Sequence, residues 1–221
     1  VLTVARRIRP LAVERVGDLP EPCCSCALWE TAGLGAPACA PACDRAALEK
    51  WIAEVRDQWG DAGLIMYDGS EPLGFVKYAP GRFFPRASKM PSGPPDDDAV
   101  LLACLHVAPD VRDAGLGKVL LQAALRDLVS RKEKVLEAYA ATGAADRDRS
   151  PLMSVEFLMR QGFKVARPHP LYPLLRLELK SIVSWAENLD AMLEAIQLPR
   201  RLGERVPAPL ANATGLRKGS Q

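Results

Sequence analysis

Nine consecutive residues, Ala99–Val107 (AVLLACLHV), carry a single polar side chain, His106. A run this apolar, without alternation, reads as a strand buried on both faces rather than as one face of a solvated sheet. Such a strand belongs in the middle of a sheet that is covered on both sides. The residues after it narrow the choice further. The stretch VRDAGLGKVLLQAAL (Val111–Leu125) places Gly115 and Gly117 beside Arg112 and Lys118, ahead of helical spacing over Lys118–Arg131. KVLEAYA (Lys134–Ala140) then reads as a further strand, completing a β-loop-α-β unit.

The rest of the chain supplies the cover. VARRIRPLA predicts a first strand, and CALWE a short one. Asp44 is placed to cap a helix whose apolar positions are Leu48, Trp51, Ile52, Val55 and Trp59, closed by Gly60. AGLIMYDGSEPLGFVKYAP predicts two strands about Asp68-Gly69-Ser70. The Pro- and Gly-rich Pro80–Asp98 predicts an irregular surface loop. Ser150-Pro151 opens a helix that ends at Gly162, and FKVARPHP and LYPLLRLELK predict two final strands. Ser184 and Glu187 form a capping box for an amphipathic helix, Trp185–Ile196, and the chain after Pro199 has the composition of a disordered tail. The expected organisation is one α/β (α+β) domain over residues 1–180, a mixed, splayed central sheet flanked by helices. A helical extension is expected over 181–198, with a tail over 199–221.

With 29 basic and 27 acidic residues scattered along 221, the net charge of +2 offers no stripe for nucleic acid. No apolar run approaches the roughly 20 residues of a membrane span, and the first residues lack the apolar core of a secretory signal. The expectation is a cytoplasmic protein, monomer or homodimer. Five of six cysteines cluster. Cys23, Cys26, Cys39 and Cys43 have spacing acceptable for structural zinc, although the intervening residues form no recognisable knuckle. The plainer reading is free thiols packed as small apolar groups.

Three devices place glycines between a strand and a helix to hold phosphate. A Walker loop needs Ser or Thr after its lysine, and Val119 follows Lys118. A dinucleotide fingerprint needs a small residue where Leu120 stands, and a turn directly after the strand. The third is Arg-x-x-Gly-x-Gly at a helix start: backbone N–H groups converge where Cβ atoms are absent, and the helix adds its positive end, which suits a pyrophosphate without metal. An ordinary turn remains the competing reading.

LHVAPDVRDAGLGKVLLQAAL resembles the pyrophosphate signature of the GNAT superfamily of acyl-CoA N-acyltransferases, and SVEFLMRQGFKV (Ser154–Val165) is similar to that family's later helix and Gly-Phe turn. The resemblance implies acetyl-CoA as cosubstrate and direct transfer of the acetyl group to an amine, of a small molecule or a protein, in a ternary complex. It implies that backbone groups of Leu105, His106 and Val107 meet the pantetheine arm. The N–H groups of Arg112, Asp113, Ala114, Gly115, Leu116, Gly117 and Lys118 would hold the pyrophosphate. The proton-handling groups do not carry over: Leu158 stands where the family often has a tyrosine, Ser150-Pro151 where it commonly has asparagine, and no carboxylate lies in the long strand. Candidates from the residues themselves are His106 as base and Tyr139 as acid, with Glu30 and Glu137 as further carboxylates. The expected function is an acetyl-CoA-dependent N-acetyltransferase; the alternatives are a catalytically silent acyl-CoA-binding module and a zinc-stabilised interaction protein.

Overall fold

The computed structural model describes residues 6–31, 44–142 and 152–181. Cys39, Cys43, Ser150-Pro151, the Trp185–Ile196 segment and the tail lie outside them. The elements run β1 (Arg6–Pro10), α1 (Arg45–Gln58), β2 (Gly63–Asp68), β3 (Glu71–Pro80), β4 (Ala99–Val107), α2 (Leu116–Ser130), β5 (Val135–Ala141), β6 (Met153–Ser154), α3 (Val155–Arg160), β7 (Lys164–Arg167) and β8 (Leu174–Glu178). Among the described residues the strands form one mixed sheet in the order β1-β2-β3-β4-β5-β8-β7, with β6 pairing β5 off that path. β1 to β4 are an antiparallel meander; β4 and β5 are parallel, joined through α2.

The apolar run of β4 is buried because both faces of the sheet are covered. On one face, α2 lays Leu116, Val119, Leu120, Ala124 and Leu128 over Met66, Val76, Tyr78, Val100 and Leu102. Fully burying leucines or valines of this kind stabilises by about 1.5–3 kcal/mol apiece. Tyr78 also donates its hydroxyl proton to Asp127 of α2 at 2.7 Å. On the other face lie Leu11, Val16, Leu19, Cys24, Leu28 and Trp29 of the N-terminal segment, together with Leu48, Trp51, Ile52 and Val55 of α1. α1 begins as its sequence requires: the Asp44 carboxylate accepts from Ala47 N–H at 2.9 Å.

Three expectations are corrected. CALWE forms no strand; Cys26 makes one bridge and residues 28–30 turn. The segment after β3 is not a surface loop but two 3₁₀ turns, Gly81–Phe83 and Pro85–Lys89, that bury Phe83, Phe84, Ala87 and Met90 in the second core. Proline and glycine break regular pairing without deciding burial, and here the aromatic pair outweighs them. Trp51 Nε1–H donates to Phe83 O at 2.6 Å, which fixes the segment to α1. α3 starts at Val155 with Ser154 as its cap, the hydroxyl accepting from Phe157 N–H at 3.2 Å.

The far end of the same segment is clasped to the sheet by charge. Arg167 and Arg176 both reach the Asp96 carboxylate, at 2.6 and 2.7 Å. Arg176 also meets Glu137 at 3.1 Å, and Asp96 N–H donates to the other Glu137 oxygen at 2.9 Å. Burial pushes the Glu137 carboxyl above its ordinary value, and the Asp96 N–H and Arg176 only partly offset this. A raised acid gives a stabilising contribution that is complete below the unfolded chain's value and fades as pH rises through the native one. Arg176→Ala leaves a buried carboxylate without its cation, so we expect a loss of about 3 kcal/mol at pH 8. The loss shrinks as pH falls through the titration of Glu137 and is largely removed in the Arg176→Ala/Glu137→Gln double variant. Urea denaturation at pH 5 and pH 8 measures both.

Candidate active site

Parallel pairing between β4 and β5 covers only Ala99–Leu101 against Val135–Glu137. Beyond that point β4 stays paired with β3 as far as Val107, and β5 with β8 as far as Tyr139, so the two strands part. The parting begins at Leu102, upstream of Pro109 and the APDV stretch, the point at which the sequence suggests an interruption. An irregularity on β4 accompanies it: Lys77 and Tyr78 of β3 oppose Cys104 and Leu102, which leaves Ala103 as an extra residue. Downstream of it, Ala108 N–H donates to Leu73 O at 2.9 Å. Antiparallel alternation then directs the backbone of His106 to β3 and that of Leu105 and Val107 away from it, toward the open side.

The chain next makes a 3₁₀ turn, Pro109–Ala114, and enters α2 through Gly115 at φ 81° and ψ 5°. Only glycine adopts this left-handed conformation without steric cost, and the turn needs it to redirect the chain into the helix. Because Gly115 stands at the N-cap, no side chain caps α2; Lys118 N–H donates to Gly115 O at 3.1 Å, and the N–H groups of Leu116 and Gly117 come before the helix's own ladder of bonds. The helix starts at Leu116, two residues earlier than the spacing predicts, so Gly117 lies in its first turn. A Cβ on Gly117 would rest 3.5 Å from Leu105 and 3.7 Å from Phe157, whereas one on Gly115 would meet nothing within 4 Å. The α2 start therefore lies against the outer end of β4 and against α3, beside the parted strands. Arg112 is half-buried and Lys118 exposed. This is a hollow of backbone donors at the positive end of a helix, suited to an anionic group that continues as an extended, amide-bearing arm along β4.

The opposite face of the parted strands is aromatic. His106 pairs with Phe75, and their rings stack at 5.9 Å. Tyr139 is only 1% exposed. It stacks on Trp29 at 5.7 Å, and its hydroxyl reaches Gly93 O at 2.6 Å and Ala87 O at 3.1 Å. Burial pushes its phenol well above the ordinary tyrosine value, so it keeps its proton, and that proton is held by the carbonyls of the 81–93 segment. His106 and Tyr139 thus share a face but have different surroundings: half-buried beside Phe75 for one, core for the other.

One buried charge pair goes beyond the expectations from sequence. Lys77 Nζ meets Glu30 Oε1 at 2.6 Å, with side-chain exposures of 5% and 2%, and lies 5.4 Å from the Trp51 ring centroid. Burial alone would push the Lys77 ammonium down, but the Glu30 charge and hydrogen bond outweigh it and hold Lys77 protonated. Its signal in the sequence is a lone charge inside LGFVKYA. Leu158, at the position where the family often has a tyrosine, is fully buried in the helix-side core. Cys23, Cys24, Cys26 and Cys104 are free thiols, and burial raises the Cys23 thiol to about 12, an unreactive value. Among the described residues no group of three or more His, Cys, Asp or Glu is placed to hold a metal ion, nor is any helix long and apolar enough to cross a membrane.

The sequence pattern of the acetyltransferase (GNAT) family matches residues 27–163, more than half of the chain. The protein belongs to that family, and is an acyltransferase with acetyl-CoA as cosubstrate. No curated protein matches the sequence. Among solved structures, yncA from Salmonella typhimurium, determined with its cofactor acetyl-CoA, is similar at TM-score 0.53 and 18% identity, covering 79% of this chain and 94% of that one. The ribosomal-protein-alanine N-acetyltransferase of Brucella melitensis gives 0.52 and 20%, covering 78% and 99%. An N-acetyltransferase from Staphylococcus aureus Mu50 gives 0.51 and 15%, covering 79% and 98%. At these identities the likeness is one of fold.

The left-handed Gly115 sets a measurable cost. Gly115→Ala has room for its methyl group but not a relaxed backbone, so it should lose about 1–2 kcal/mol. Gly115→Asn should lose less, since asparagine tolerates this region. Thermal and urea unfolding of the two variants compare them directly.

Proposed function

We propose that this chain is an N-acetyltransferase that passes the acetyl group directly to an amine bound beside the thioester, without a covalent enzyme intermediate. The observation that carries the reading is the meeting of two independent features: β4 and β5 part at Leu102, and the uncapped, glycine-opened start of α2 lies against the end of the exposed edge. Coenzyme A, when bound, supplies the activated thioester. The N–H groups from Arg112 through Lys118 hold its pyrophosphate, and the backbone of Leu105 and Val107 holds its amide-bearing arm as an added strand. Val107 N–H is the donor offered to the acetyl carbonyl oxygen, where charge grows during transfer.

The chain's own share is alignment and proton handling. An ammonium acceptor must lose one proton before it attacks, and His106 is the titratable group on the open strand that takes it and passes it to solvent. As the C–N bond forms and the thioester C–S bond breaks, a second proton leaves the nitrogen and ends on the sulfur. Tyr139 is assigned to anchoring the 81–93 segment, since its hydroxyl is committed to main-chain carbonyls. A catalytically silent acyl-CoA-binding module is the second reading, favoured by Leu158, whose side chain is buried and has no proton to give.

Calorimetric titration separates these readings from an ordinary turn. Acetyl-CoA is expected to bind with micromolar or tighter affinity and NAD not at all. In Gly117→Glu the added carboxylate enters beside Leu105 and Phe157, and acetyl-CoA binding should be lost; retained affinity removes the loop assignment. His106→Ala is expected to lower turnover at saturating acetyl-CoA by about tenfold or more. Thiol release that never exceeds the buffer rate, with acetyl-CoA bound, selects the silent module.

A further inference from the structure

Two consecutive residues each bury one polar atom that has no hydrogen-bond partner among the described residues: the indole Nε1–H of Trp29 and the Oε2 of Glu30. Burying a polar atom in this condition is costly, and native proteins keep few of them without a use. The position of this pair is specific. Trp29 stacks on Tyr139 of β5, while Glu30 reaches Lys77 of β3. The step from residue 29 to residue 30 therefore crosses above β4, near Cys104, which pairs with Lys77. That is where β4 turns an unpaired edge toward β5, on the face that also carries His106.

We infer that the Trp29–Glu30 step binds the acceptor, and that the acceptor is an α-amine, the free N-terminus of a peptide or an amino-acid amide. The ground is complementarity. The two buried atoms are one donor and one acceptor. An α-aminoacyl group brings ammonium N–H donors and a carbonyl acceptor within a few bonds of each other, so it satisfies Glu30 Oε2 and Trp29 Nε1–H together. A polyamine or a lysine side chain brings donors only and leaves the indole N–H buried and unpaired. Lys77 also neutralises Glu30 at 2.6 Å, so the step offers a hydrogen-bond acceptor without the excess negative charge that would favour a polycation. Held there, the α-nitrogen faces the open edge of β4, where it exchanges its proton for the acetyl group as described above. Trp29 and Glu30 bind and orient; they do not take the proton.

This inference rests on the N-acetyltransferase reading, and the experiment keeps the two apart. Coenzyme A affinity is measured by calorimetry, and thiol release is followed with three probes: an alanyl peptide amide, the same peptide Nα-acetylated and carrying a lysine, and spermidine. Trp29→Phe removes the N–H and keeps a smaller aromatic ring against Tyr139, and thermal unfolding of the variant checks that the fold is retained. Glu30→Gln strands the Lys77 ammonium, so Glu30→Gln/Lys77→Met is made alongside it to keep a folded protein. The expected result is preference for the alanyl peptide. Its kcat/KM should fall tenfold or more in Trp29→Phe and in the double variant, with coenzyme A affinity unchanged. If coenzyme A does not bind the wild-type protein, the enzymatic reading fails and takes the inference with it. If coenzyme A binds, preference for spermidine or the lysine peptide, or variants that match wild type on the alanyl peptide, overturns the inference alone, whereas no acetylation of any probe overturns it together with the enzymatic reading.

Discussion

Among the described residues, three of parallel pairing, Ala99–Leu101 against Val135–Glu137, are the whole main-chain seam between the two halves of the sheet. Everything beyond depends on that seam stopping where it does. Were it continued, the backbone of Leu105 and Val107 would be spent on β5 and no edge would face a ligand. Because it stops, the halves must be held together by other means, and side chains on the aromatic face do this. Tyr139 of β5 grips carbonyls of the 81–93 segment, Trp29 stacks on the same ring, and Glu137 of β5 accepts from Asp96 N–H. The opening is therefore framed by a packed core.

The Lys77–Glu30 pair is a costly contact in that frame. Moving two charges out of water offsets most of what their attraction returns, so such a pair seldom adds net stability. What it does add is direction. A lysine in a central strand that must find a carboxylate, with Trp51 beside it, leaves the turn at residues 28–30 few ways to lie on the sheet. Apolar packing alone tolerates sliding; a buried ion pair does not.

The signals legible in the sequence are those with a local cause. Asp44 caps α1, the apolar positions of α1 and α2 face the sheet, and β4 is buried on both sides, all readable from spacing. The glycine turn is legible too, because left-handed backbone and a missing cap are demands that few residues meet. What escapes has causes distant in the chain. Phe83 and Phe84 are buried because Trp51 and Trp29 come to them from other elements, against the composition of their own segment. CALWE has the look of a strand, yet its Trp and Glu are taken by β5 and β3 instead of a neighbour's ladder. The start of the strand parting is written in no residue, since it follows from the extra residue at Ala103 and from partners on both sides. Leu158 departs from the family's pattern, and its burial in the helix-side core is what a leucine there does.

The extra residue at Ala103 has a further meaning. Before it, Leu101 faces the aromatic layer and Leu102 the helices; after it, Cys104 packs with the aromatic layer and Leu105 with the helices. The strand changes phase by one residue at that point. His106 owes its side of the sheet to this shift, and in an unbroken strand it would point at α2. In this sense the placement of the imidazole is a matter of counting: the same nine residues paired without the extra one would exchange the two faces for the outer half of the strand, whereas removing Ala103 itself would restore regular alternation and leave His106 on its present side. Substitutions that keep the extra residue leave that phase intact.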